Sequence, residues 1–231
     1  MGTEDFTSRM SRAERAVALL YIPVHVLCLP YLLAIPYRAG RLDAAGVNLA
    51  CYFIGAVFML LALHRFMKRE FYALCDYGAR VVWELVKGYG YLLLGGMAAG
   101  LVLTLAGLSD DPNSAAVADM ARSDPGRTAA VAVFLAPLVE EPMFRGGVFG
   151  LLRKRSRAAA YIAGTLIFAL YHVWGYVGAD ARSWLYILQY VPAGIVLARC
   201  YEKTDSIWTA IFLHMLWNGV SMLAAVLVMR Q

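Results

Sequence analysis

Six polar side chains stand in stretches of this chain that are otherwise apolar. The segment Leu138-Val-Glu-Glu-Pro-Met-Phe-Arg145 carries two adjacent carboxylates and a guanidinium, Phe168-Ala-Leu-Tyr-His172 ends on an imidazole, and His214-Met-Leu-Trp-Asn218 pairs an imidazole with an amide one helical turn away. Together these groups are the parts of a hydrolase: a carboxylate base, imidazoles to orient or bind a water, and an amide able to donate to a developing oxyanion. No serine with a paired base stands in these segments, and H-E-x-x-H is absent, so the chemistry they favour is attack by an activated water rather than an acyl-enzyme. Glu141 and Arg145 are four residues apart, in the order that suits an ion pair on a helix. Glu140 points about 100 degrees away from that pair and is the carboxylate left for other work. A bland alternative stands beside this: the pair is a neutralised strut and Glu140 is protonated. Glu140, His172 and His214 could also make an open zinc site, whereas Asn218 is a poor zinc ligand. A bound zinc therefore stays open on the residues alone.

The chain that must position these groups has 231 residues, of which 61% are hydrophobic and only 16% charged, with a mean hydropathy of +0.61. Such a composition excludes a disordered chain and points to a membrane. The formal charge of +5 does not argue for nucleic-acid binding, because in so apolar a chain basic residues are first expected in loops on one side of a bilayer. Crossing the hydrocarbon takes roughly 20 helical residues. About seven runs qualify, near 15–37, 45–67, 85–107, 128–152, 158–178, 183–200 and 206–229. The expected fold is an all-α, polytopic membrane bundle of about seven transmembrane helices. Pro23, Pro30 and Pro36 should bend the first run, and Ser11 with Glu14 has the form of a capping box before it. At about 1.5 Å per residue, Glu140 lies roughly 18 Å from the cytoplasmic ends of the spans, His172 about 21 Å, His214 about 12 Å and Asn218 about 18 Å. Charged groups at such depth are costly and mark function by default.

Basic residues set an orientation. With the N-terminus in the cytoplasm, fourteen fall on inner segments (Arg9, Arg12, Arg15; Arg65, Lys68, Arg69, Arg80, Lys87; Arg153, Lys154, Arg155, Arg157; Arg199, Lys203) and six on outer ones, Arg230 among them. This bias implies a cytoplasmic N-terminus, an external C-terminus and an external acidic loop from Ser109 to Arg127. The Arg153–Arg157 cluster is read as setting topology rather than binding lipid. Gly96 with Gly100, and Gly146 with Gly150, have the spacing of close helix packing. His25 and His64 read as packing residues. Cys28, Cys51, Cys75 and Cys200 form no C-x-x-C pair and are read as small buried hydrophobes, so no disulfide framework or cysteine zinc site is expected. The first apolar run is too long for a signal-peptide core and is expected to stay in the mature protein.

Glu140-Glu-Pro-Met-Phe-Arg-Gly146, Phe168 with His172, and Asp205-Ser-Ile-Trp-Thr-Ala-Ile-Phe-Leu-His214 followed by Asn218 together resemble the CPBP family, also called Abi, which includes the type II CAAX prenyl endopeptidases and bacterial proteins linked to bacteriocin processing and self-immunity. The resemblance covers about residues 129–219, which suggests variable helices and an external loop over 1–127 and a catalytic core over 128–231. It implies an intramembrane endopeptidase in which Glu140 activates water, His172 orients it, His214 and Asn218 stabilise the oxyanion, and Glu141 with Arg145 holds Glu140 in place. Pro142 departs from the bulky apolar residue usual in the motif and could shift the helix that positions Glu140. The implied substrate is a membrane-associated peptide or protein, cut near the cytoplasmic side, and the implied location is a bacterial cell membrane; zinc remains the one candidate cofactor. Against the enzyme stand a non-enzymatic immunity or interaction protein, a proton-coupled carrier built on the same polar cluster, and a haem protein with His172 and His214 as axial ligands.

Overall fold

The computed structural model describes residues 6–76, 78–108, 111–177 and 181–229; Ser109, Asp110, Gly178 and Arg230, which the sequence readings touch, lie outside them. Among the described residues the chain is helical with no strand. Helix α1 spans Arg12–Arg38 and α2 spans Ala44–Ala62. They are followed by α3 (His64–Asp76), α4 (Gly78–Leu105) and α5 (Pro112–Ser123). A broken helix α6 then runs over 125–153, and α7 (Arg157–Val173), a 3-10 turn (Ala181–Tyr186), α8 (Ile187–Thr204) and α9 (Ile207–Met229) complete the bundle.

Local chemistry explains the starts and breaks. The expected capping box is present: Ser11 Oγ accepts from the Glu14 N–H at 3.2 Å, and Glu14 returns the bond to the Ser11 N–H at 2.8 Å. Asp43, Asp111 and Ser156 cap α2, α5 and α7 in the same way. Pro23 cannot donate to the preceding turn, and the helix widens into a π turn at Val24–Cys28 immediately after it. The run expected over 45–67 ends at Ala62 instead, because Arg65, Lys68 and Arg69 turn the following stretch into the amphipathic α3. Part of the stretch expected as an external linker is itself a helix, α5, begun by Asp111 and Pro112.

Four helices, α1, α2, α4 and α9, are long and apolar enough to cross a membrane. Their outer faces expose large apolar side chains such as Tyr31, Leu61, Met97 and Leu105, the pattern of a bundle whose solvent is lipid. Helix α6 shows the reverse. From Ala136 to Gly150 nearly every side chain is buried, including all its charged ones. It packs against α1, α2, α7 and α9 and is the axis of the fold.

Close approaches occur at Gly88, where an added Cβ would meet Leu213 at 2.6 Å and Cys200 at 2.8 Å, and at Gly194, where it would meet Thr165. Gly146 and Gly150 also sit at a tight contact, but their neighbours are Met10 and Ser8 of the segment before α1 rather than another helix. Gly100 faces open space, so the expected pair with Gly96 makes no close crossing.

Helix α3 is tied to the start of α9. Ser206 Oγ donates to the Glu70 carbonyl at 2.8 Å, the Ile207 N–H donates to the Glu70 carboxylate at 2.8 Å, and Trp208 Nε1 donates to the Met67 carbonyl at 2.9 Å. Burial pushes the Glu70 carboxyl up to about 8, with the Ile207 N–H and Arg9 acting against it. A carboxyl raised above its unfolded value of 4.5 keeps its proton longer in the folded state, so its contribution to stability is full below that value and is lost as pH rises towards about 8. The difference in Tm between the native chain and Glu70→Gln, measured in detergent, should therefore shift in favour of the variant across that window. A difference that stays constant with pH would show that Glu70 is ionised throughout.

Candidate active site

The site is built on α6, and the irregularity of that helix is what opens it. Two of its stretches, Ala130–Leu135 and Pro142–Phe149, are π-helical. Pro142 has no N–H to return to the preceding turn, and the wider turn begins at that residue. Glu140 and Glu141 end the regular segment between the two π stretches. The departure at Pro142 thus coincides with the start of the second π stretch, immediately after the two carboxylates.

Glu141 faces inward to the ion pair. Its Oε2 lies 3.2 Å from Arg145 Nε, and its Oε1 lies 2.8 Å from His214 Nδ1 of α9. All three side chains are buried. Arg145 also donates from Nη2 to the Ala193 carbonyl of α8 at 3.1 Å, and its guanidinium stacks 4.1 Å from the centre of the Phe168 ring. Arg145 thus joins α6, α7 and α8, and Glu141 adds α9 through His214. Because a carboxylate can only accept, the bond to Glu141 fixes the proton on His214 Nδ1.

Glu140 is buried as well, but its partners are different. Tyr52 of α2 donates to Oε1 at 3.1 Å, and the Tyr52 hydroxyl is itself 2.8 Å from that of Tyr171 on α7. Oε2 has no hydrogen-bond partner and lies 3.7 Å from His172 Nε2. His172 Nδ1 is 2.8 Å from the Phe168 carbonyl, which can only accept, so Nδ1 carries the proton and Nε2 presents a lone pair. With the carboxyl ionised and the imidazole neutral, Glu140 Oε2 and His172 Nε2 are two acceptors side by side. Three aromatic rings hold the imidazole: Phe168 at 4.5 Å, Tyr171 edge-on at 5.1 Å and Tyr190 stacked at 4.4 Å.

Asn218 donates from Nδ2 to the Ala132 carbonyl at 2.8 Å, a carbonyl in the first π stretch. Its amide retains a second N–H. The structure thus brings Glu140 beside His172 and joins Glu141, Arg145 and His214 in one cluster, with the Phe168 ring packed between the two groups. Asn218 reaches α6 through its backbone rather than through either carboxylate.

Among the described residues no three His, Cys, Asp or Glu side chains are grouped to hold a metal. His214 commits Nδ1 to Glu141 and His172 commits Nδ1 to a carbonyl, so Nε2 is the nitrogen each would have for a ligand.

Sequence reasoning did not single out Tyr52, Tyr171 or Tyr190. Residue type could not have found them, since the chain has 14 tyrosines and these three lie in apolar runs without a distinguishing spacing.

Comparison with known proteins bears on the same segment. Residues 125–220 match the family described as type II CAAX prenyl endopeptidase Rce1-like. The chain is 24% identical over 203 residues to YdiL of Bacillus subtilis, covering 84% of this chain and 80% of that protein. It is 30% identical over 148 residues to the membrane-embedded CAAX protease MroQ of Staphylococcus aureus, covering 60% of this chain and 56% of that one. The UPF0177 protein YvdC of Lactococcus lactis is 24% identical over 136 residues, 58% of this chain and 49% of its own length. No solved structure matches. The matched segment contains all the motif residues from Glu140 to Asn218.

The ion pair gives a test of scaffold against chemistry. Removing one partner of a buried pair leaves the other charge uncompensated and typically costs about 3–5 kcal/mol. Glu141→Gln and Arg145→Met should each lower the Tm, and the double substitution should recover part of that loss. Single variants that melt like the parent would show that the pair does not hold the bundle together.

Proposed function

From a segment that resembles CAAX-type membrane endopeptidases, we propose that the chain hydrolyses a peptide bond within the membrane by glutamate-activated water. The observation that carries this reading is the 3.7 Å separation of Glu140 Oε2 and His172 Nε2, both acceptors, in a buried site. A water there donates one hydrogen to each. Glu140 takes a proton from the water as its oxygen attacks the scissile carbonyl carbon, and the carbonyl becomes an oxyanion. When the C–N bond breaks, Glu140 passes that proton to the leaving nitrogen, giving an amine and a carboxylic acid that keeps the water's second hydrogen and ionises on release to water. Asn218 offers its remaining N–H to the oxyanion, whereas His214 donates from Nε2 only as imidazolium, because its Nδ1 proton is committed to Glu141. Glu141 and Arg145 hold the helix that carries the base.

No step of this scheme passes through a metal. Glu140→Gln keeps shape and burial but removes the base, so cleavage of a membrane peptide substrate should fall by about 10²–10⁴-fold at unchanged Tm. Prolonged chelation should leave the native rate intact. Full activity in the Gln variant would overturn the mechanism, and loss of activity on chelation with recovery on added zinc would overturn its metal-free form.

The substrate class is a membrane-associated peptide or protein. The orientation proposed is a cytoplasmic N-terminus, an external C-terminus and seven crossings, supported by the basic residues of the 153–157 connection and by the helices that occupy most of each apolar run. His172 lies in the last turn of α7, away from that connection. In this orientation the site sits towards the outer half of the bilayer rather than the cytoplasmic side. A cysteine at Ser123, on the exposed side of α5, should react with an impermeant thiol reagent in intact cells. Protection of that cysteine until the cells are opened would invert the orientation.

A further inference from the structure

Helix α5 and its cap lie outside the segment matched to the endopeptidase family, yet they reach the site. Tyr190 of α8 stacks on His172 with ring centres 4.4 Å apart and planes within 19°. The far end of the same phenol is held from α5: its hydroxyl donates to the Asp111 carboxylate and accepts from Asn113 Nδ2 at 3.1 Å. Asp111 is only 8% exposed, and the same carboxylate oxygen also accepts from the Ser114 N–H at 2.9 Å and the Ser114 hydroxyl at 2.7 Å. Its other oxygen is buried without a hydrogen-bond partner.

We infer that Asp111 and Tyr190 are positioning residues that act through His172, with α5 forming the wall that fixes the plane of the imidazole against Glu140. The Phe168 carbonyl bond sets which nitrogen carries the proton, but a single bond at Nδ1 leaves the ring free to swing about it. Phe168 and Tyr171 meet the ring tilted and edge-on, and among the described residues Tyr190 is the ring stacked on its face. Sliding or tilting of the phenol would carry the imidazole with it, so the Asp111 bond at the opposite end of Tyr190 sets where Nε2 points. Asp111 thereby does two things at once: it starts α5, and it ties that start to the site. A displacement of about 1 Å in a group that orients a reactant can cost about 100-fold in rate, which is why a residue that touches no substrate can matter here.

The inference rests on the peptidase reading for its consequence in rate but not for its geometry, and the two are separable. In the full chain in detergent with isotope-labelled histidine, the His172 ring signals, identified by their absence from His172→Gln, should report a single Nδ1-protonated tautomer with ring protons shifted upfield by the stacked phenol. Tyr190→Leu should abolish that upfield shift. Tyr190→Phe and Asp111→Asn keep the ring and the helix cap, and should broaden or split the His172 signals. In the same two variants kcat should fall about tenfold or more while KM stays within about twofold, since the base and the substrate surfaces are untouched. His172 signals identical to the parent in Tyr190→Phe and Asp111→Asn would overturn the clamp, whatever the rates. Signals that respond as expected in a chain with no cleavage activity, native or variant, would sustain the clamp and remove the peptidase reading instead.

Discussion

Two carboxylates and a guanidinium on one buried helix form the constraint on which the rest of the molecule depends. Each would cost several kcal/mol if left uncompensated in a low-dielectric interior, and the bundle answers with a partner from nearly every neighbouring helix. Arg145 takes Glu141, the Ala193 carbonyl and the Phe168 ring; His214 takes the other oxygen of Glu141; Tyr52 takes one oxygen of Glu140. The surface then has nothing polar to hide along its spans, and the exposed faces of α1, α2, α4 and α9 are free to be apolar.

The two glutamates are chemically identical and adjacent, and their partners alone make them different. Glu141 is hydrogen-bonded to His214 at Oε1 and ion-paired with Arg145 at Oε2, 3.2 Å away but without hydrogen-bond geometry. Glu140 has one neutral donor and one oxygen with none. An oxygen without a donor inside a folded protein is expensive, and the expense is tolerable where a reactant completes the bond. The π-helical turn starting at Pro142 supports this division, because a regular helix would carry its own bonding through the same place.

What was legible from the sequence is what periodicity and cost could expose. The apolar runs are long enough to be read as helices, and the three polar motifs stand out because charge in such runs is rare. The pairing of Glu141 with Arg145 follows from a spacing of four residues, and the structure contains it. Contacts that depend on where helices cross were not legible. Tyr52 and Glu140 are 88 residues apart, and Tyr190 and Asp111 are 79 apart; nothing local marks either pair. The glycine pairs show the same limit. Spacing suggested helix contacts at Gly96 with Gly100 and at Gly146 with Gly150, whereas Gly88 and Gly194 make the tight crossings and Gly146 receives Met10. Likewise the break at Leu63 and the helix α5 depend on short polar patterns that a search for membrane-length runs passes over.

Partition of the site between the two parts of the chain has a consequence for what can vary. The residues read as doing chemistry, Glu140, His172, His214 and Asn218, all lie within 125–220. Two of the groups that hold them, Tyr52 and Asp111, come from before that segment. A base and its histidine are constrained by the reaction, since small changes in their separation change the rate steeply. The groups behind them are constrained only to present a donor or a flat ring at the right place, which many sequences can supply from differently arranged helices.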